Sequence, residues 1–122
     1  MENYKERILI VEDEVLIAYS IDKMLQPNFA TEMAHDFEEA KILLTHQQFD
    51  FVLIDIMLSG SKTGIDLAHF INENNSIPFI FTTALTDLET LKRVTSVAPS
   101  AYLSKPVEYA NLLTAITLAL QN

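Results

Sequence analysis

Cysteine is absent from the 122 residues, so disulfides, thiolate metal sites and thiol nucleophiles are excluded together. Basic residues are few: eight Lys and Arg face seventeen Asp and Glu, for a formal charge of −9. That balance argues against holding nucleic acid through its phosphates, which takes a clustered basic surface. It equally disfavours an electrostatic hold on anionic lipid. No stretch approaches the roughly 20 apolar residues of a membrane-spanning helix. The opening MENYKER is charged and precedes only a short apolar run, unlike a secretory signal. A soluble, cytoplasmic module is therefore expected. No repeat, low-complexity run or Pro/Gly/Ser-rich linker interrupts the chain. One domain over residues 1–122 is expected, free-standing or cut from a longer protein. Hydrophobic residues make up 49%, too many for a disordered acidic tail.

What is present is an alternation of short apolar runs with longer amphipathic segments. Ile8 to Val11, Phe51 to Ile54 and Ile77 to Phe81 are continuous enough to be strands buried on both faces of a parallel sheet. Phe29 to Ala34 and Ala101 to Ser104 are weaker strand candidates. Helical stripes lie between them: Ile17, Ile21, Met24 and Leu25, stopped by Pro27; and Ala40, Leu43 and Leu44 behind an Asp36 cap with Glu39 as capping-box partner. Leu67, Ala68 and Ile71 follow Gly64, and Leu88, Leu91 and Val94 follow Thr86 or Asp87. Leu112, Leu113, Ile116 and Leu120 follow Glu108. Five strand–helix alternations in this length predict a doubly wound α/β sheet with helices on both faces.

In such sheets the site lies beyond the carboxyl ends of the strands. Glu12 and Asp13 follow the first strand, Asp55 the third, Thr83 the fourth and Lys105 the fifth; only the second strand ends without a residue of this kind. Taken singly, each has a plain structural reading. Glu12 or Asp13 would be a helix cap or solvated turn, and Asp55 an acceptor for loop N–H groups. Thr83 would be a hydroxyl bonded to backbone and Lys105 a solvated cation. Taken jointly, three carboxylates with neither His nor Cys beside them suit Mg²⁺ rather than zinc. The cation and Lys105 together would neutralise them.

These residues carry a family resemblance. Ile8-Leu9-Ile10-Val11-Glu12-Asp13-Glu14 resembles the opening of bacterial two-component response-regulator receiver domains. Phe49 to Ile56 resembles their phosphoacceptor strand, Thr83-Ala84 their switch threonine, and Tyr102-Leu103-Ser104-Lys105-Pro106 their closing motif. The resemblance implies a flavodoxin-like five-stranded parallel sheet of order 2-1-3-4-5 with five helices. It implies that Asp55 accepts a phosphoryl group from a histidine kinase, a phosphotransfer protein or a small phosphodonor. Asp13, Asp55, Glu12 and the main-chain carbonyl of Met57 would hold Mg²⁺, with Mn²⁺ able to replace it. Lys105 would pair with Asp55, across a cis Lys105–Pro106 peptide. Thr83 and Tyr102 would form the switch. The output face would be the fourth helix, fifth strand and fifth helix, around Leu88, Leu91, Lys92, Tyr102 and Tyr109, with a homodimer as one use of it.

The chain departs from the common pattern at several places. Ser59 stands where proline is usual, the stretch from Asp55 to Gly64 is one residue longer, Glu12 replaces the commoner Asp, and Val107 occupies a frequent aromatic position. Met57 and Leu85, two residues beyond Asp55 and Thr83, cannot orient an attacking water, so a slowly decaying phospho-form is expected. Other classes fit less well. A haloacid-dehalogenase-like phosphohydrolase would need an acid at Met57, and a flavin carrier would need a phosphate loop where Glu12, Asp13 and Glu14 repel phosphate. A signalling domain rather than a metabolic enzyme is expected. Any DNA contact would belong to another domain, such as a LytTR-type one, and a hybrid kinase is the other context considered.

Overall fold

The computed structural model describes residues 4–84 and 97–121. Five parallel strands, β1 (Arg7–Val11), β2 (Ala30–Ala34), β3 (Phe51–Asp55), β4 (Phe79–Thr83) and β5 (Ala101–Ser104), form one sheet in the order β2-β1-β3-β4-β5. The helices among the described residues are α1 (Val15–Leu25), α2 (Phe37–His46), α3 (Gly64–Asn74) and a last helix, Tyr109–Leu120. The fourth expected helix, with Leu88, Leu91, Lys92 and Val94, lies outside the described residues, as does Leu85. Among the described residues no helix is long and apolar enough to cross a membrane.

The continuous apolar runs are explained by what covers each face. Successive strand side chains point to opposite sides. Leu9, Val11, Val52, Ile54, Phe79 and Phe81 therefore face one core with residues of α2 and α3. Ile8, Ile10, Phe51, Leu53 and Ile80 face a second, with α1 and the last helix. A strand covered on both sides has no polar face to show.

Two local expectations are corrected. β4 starts at Phe79 rather than Ile77, because Pro78 has no N–H for the ladder, although its carbonyl still accepts from Val52 N–H at 3.1 Å. Asp36 caps α2 by accepting Glu39 N–H at 2.9 Å. The Glu39 carboxylate, however, takes the main-chain N–H of His35 at 2.7 Å, one residue before the cap, so the reciprocal box is not formed there. A full capping box occurs instead at α3, between Thr63 and Asp66. That Thr-x-x-Asp spacing was readable in the sequence. Asp22 on α1 was hidden from periodicity; it is buried, accepting from Gln26 Nε2 at 2.6 Å and from the Thr31 hydroxyl of β2.

Candidate functional site

The parallel register carries the acids to one end of the sheet. Val11 pairs with Ile54 and Asp55 with Thr82, so the residues leaving β1 and β3 emerge side by side. Glu12 N–H donates to Ala34 carbonyl at 3.0 Å, extending the β1–β2 ladder one residue and anchoring the turn. Ile56 N–H donates to Thr82 carbonyl at 3.1 Å and does the same after β3. One carboxylate oxygen from each of Glu12, Asp13 and Asp55 lies within 4.8 Å of the others. Glu12 and Asp55 are only 1% and 3% exposed, while Asp13 is half-buried.

The Lys105 ammonium faces two of these acids. Nζ donates to Asp55 Oδ2 at 3.1 Å and forms an ion pair with Glu12 Oε1 at 3.2 Å. The second contact is not a hydrogen bond, so Glu12 Oε1 is buried without a hydrogen-bond partner. The remaining oxygens meet backbone: Asp55 Oδ1 accepts Met57 N–H at 3.0 Å and Glu12 Oε2 accepts Glu14 N–H at 3.2 Å. Burial, and then the charge of Asp55, push the Glu12 carboxyl up to about 7, against the pull of Glu14 N–H and Lys105. Burial works against the Lys105 charge, yet Asp55 and Glu12 carry its pKa above the ordinary lysine range.

A cluster of like charges that lifts the pKa of one member is a cluster short of positive charge. The donor set is all oxygen, and one buried carboxylate oxygen lacks a hydrogen bond. Those features fit a hard divalent cation such as Mg²⁺.

Neighbouring elements fix the mouth of the site. Gly64, first residue of α3, sits so close to β3 that a Cβ there would lie 2.3 Å from Asp55 main-chain oxygen; its own N–H donates to Ile56 carbonyl at 2.9 Å. Only glycine allows this approach. Thr83, buried at the end of β4, donates its hydroxyl to Ala84 carbonyl at 3.0 Å. The Lys105–Pro106 peptide is cis. Tyr102 on β5 is 43% exposed, and Met57, two residues after β3, exposes its side chain.

The expectation that β2 contributes nothing, and that no His lies near, is corrected. His35, directly after β2, places Nδ1 3.0 Å from the main-chain oxygen of Glu12. Its approach follows from the pairing of β1 with β2, which spacing along the chain does not reveal.

Two clefts border the site, one at Asp13 and one at Lys105. One, of about 350 Å³, runs from Asp13 past His35 and Asp36 to the loop Ser59–Lys62. The other is an apolar groove of about 420 Å³ between α1 and the turn after β5, lined by Leu16, Ile17, Met24, Pro106 and Val107 beside Lys105. A larger cavity, about 480 Å³, lies around the ends of α2 and α3 and holds none of the three carboxylates.

Known proteins share this arrangement of sequence and fold. The sequence profile of the response regulator receiver domain matches residues 8–117. The chain is similar to the transcriptional regulatory protein PdtaR of Mycobacterium tuberculosis, 32% identical over 93% of this chain and 56% of that protein. It is also similar to the response regulator protein PilR of Pseudomonas aeruginosa, 30% identical over 97% of this chain and 27% of that one. It thus spans about half, or less, of the length of these relatives. Among solved structures, a CheY-like response regulator receiver domain protein from Methanospirillum hungatei superposes with a TM-score of 0.88 at 27% identity, covering 97% of this chain and 95% of that one. The N-terminal domain of a response regulator/sensory box/GGDEF protein from Carboxydothermus hydrogenoformans also gives 0.88, at 29% identity, over 95% and 94%. With four motifs at the strand ends, a 2-1-3-4-5 parallel sheet and a profile match across most of its length, the chain belongs to the response regulator receiver domain family.

Proposed function

We propose that this receiver domain takes a phosphoryl group onto Asp55 in a Mg²⁺-dependent reaction and passes the change to its Thr83/Tyr102 face. The observation that carries this reading is the gathering of Glu12, Asp13 and Asp55 within 4.8 Å, with one ammonium against two of them. Asp55 attacks phosphorus in line as the bond to the donor breaks, leaving an acyl phosphate on the carboxylate. Glu12, Asp13, Asp55 and the Met57 carbonyl are the residues that would hold the cation. Bound Mg²⁺ would supply positive charge against the transferring phosphoryl oxygens. Lys105, now paired with Asp55, would follow the charge onto those oxygens. The Thr83 hydroxyl would leave Ala84 for the phosphoryl group, and Tyr102 would move from its exposed position towards the core.

The donor is a sensor histidine kinase, a phosphotransfer protein or a small phosphodonor. The exposed Val15, Leu16 and Tyr19 of α1, next to the groove with Pro106 and Val107, offer an apolar face beside Lys105 where a donor protein would sit. The domain then acts as a switch in two-component signalling rather than as a metabolic enzyme. Its partners downstream would meet the face bearing Tyr102 and Tyr109, both exposed, with a homodimer as one arrangement.

Incubation with Mg²⁺ and acetyl phosphate or phosphoramidate, followed by intact mass measurement, tests the reading. One phosphate adduct is expected, absent without Mg²⁺ and absent in Asp55→Asn. An unchanged mass with every donor would refute it.

A further inference from the structure

We infer that His35 is a positioning residue for the Mg²⁺ site, holding the Glu12–Asp13 turn through the main-chain oxygen of Glu12. The inference rests on reading the three carboxylates as that site. Its starting point is the β1–β2 ladder. Ala30 N–H donates to Glu6 carbonyl and Glu12 N–H to Ala34 carbonyl, with Val11 opposite Ala34. In a parallel pair of this register, the next rung would run from Asp36 N–H to Glu12 carbonyl. The chain turns away at that point, since Asp36 becomes the extended N-cap of α2. The His35 imidazole takes over the missing rung, with Nδ1 3.0 Å from Glu12 oxygen. A carbonyl oxygen only accepts, so Nδ1 carries the proton.

His35 is itself held: its main-chain N–H donates to Glu39 Oε1 at 2.7 Å. A continuous chain of bonds thus runs from α2 through His35 to the peptide joining Glu12 and Asp13. That peptide carries two of the three acids. Both must stand near Asp55 against mutual repulsion, which Lys105 offsets only for Glu12 and Asp55. A turn free to rotate would relax by moving the acids apart, at the expense of cation binding. Fixing the turn in advance removes that cost from binding, as supporting hydrogen bonds do around metal sites generally.

Calorimetric titration with Mg²⁺, without any phosphodonor, tests this on the purified chain. His35→Ala and His35→Phe, which lack the donor, are expected to bind Mg²⁺ about tenfold more weakly or worse. His35→Asn, with a short amide donor, is expected to recover most of the affinity. A parent that binds Mg²⁺ together with Ala and Phe variants that bind it within twofold would overturn the inference and leave the site reading intact. A parent that binds none would overturn both. Equal loss in all three variants would also overturn it, since supplying a donor at this position would then restore nothing. Nitrogen NMR on the histidine-labelled parent, with His35 assigned from its missing signal in His35→Phe, gives a readout independent of variant folding. A ring that carries a proton on Nδ1 is expected, and one protonated only on Nε2 contradicts the geometry.

Discussion

The three central strands and the two edge strands divide the work of this domain. β3 and β4 are buried at every position and β1 at four of five, whereas β5 alternates between exposed and partly covered residues and β2 does so up to its buried last residue, Ala34. Glu12, Asp13 and Asp55 leave the central strands, where burial makes each charge matter. Lys105, Tyr102 and His35 come from or follow the edge strands. The centre therefore concentrates negative charge that folding must tolerate, and the segments after the edge strands supply Lys105 and His35, which contact it.

The sharpest way to break that division is to damage the centre. Leu53→Ala, in the middle of β3 and covered by α1 and the last helix, is expected to lower unfolding stability by about 2–5 kcal/mol in urea denaturation. A loss under about 1 kcal/mol would mean the central strand is not the core it appears from burial.

The second test uses the charge held at the centre. The Glu12 carboxyl titrates near 7 when folded, against an ordinary value of 4.5, so the folded state keeps a proton that the unfolded chain has already lost. Between those values the metal-free protein should lose stability as pH rises, by no more than about 3 kcal/mol. Glu12→Gln should flatten that part of the profile, and saturating Mg²⁺ should oppose the slope by favouring the ionised acid. Thermal unfolding from pH 4.5 to 7.5 reads all three; a parent profile that rises over this window contradicts the account.

The smallest effect is expected at the edge. Tyr102→Ala removes a side chain that is 43% exposed and should change stability by about 0.5 kcal/mol or less. Its effect should appear instead in signalling output from the phosphorylated form. A stability loss comparable to that of Leu53→Ala would erase the contrast between centre and edge.

Different parts of this design were legible for different reasons. β1, β3 and β4 could be read because a strand covered on both faces carries an unbroken apolar run, and acids after the runs of β1 and β3, with Thr82-Thr83 after that of β4, mark where each leaves the core. Asp36 was legible as a cap because that role depends on residues three apart. Glu39 departs from the capping box because its carboxylate accepts the His35 main-chain N–H, a partner set by the path of the chain after β2. Gly64 reads from sequence as a helix start, but its need for glycine comes from the main chain of β3 pressing against it. His35 is not legible in the sequence, because a histidine after a weak strand carries no local signal.

The sequence by itself determined the strand–helix alternation, the residue types at the strand ends and, through four ordered motifs, the family. Those properties depend on local spacing and on burial that periodicity reports. Only the tertiary structure decided that Glu12 is buried with an oxygen lacking a hydrogen bond, that Lys105 reaches both Glu12 and Asp55, and that a side chain from the edge strand completes the ladder at Glu12. Each of these joins residues more than twenty positions apart. Their distances and their share of the solvent are set by strand register and packing, which no window along the chain contains.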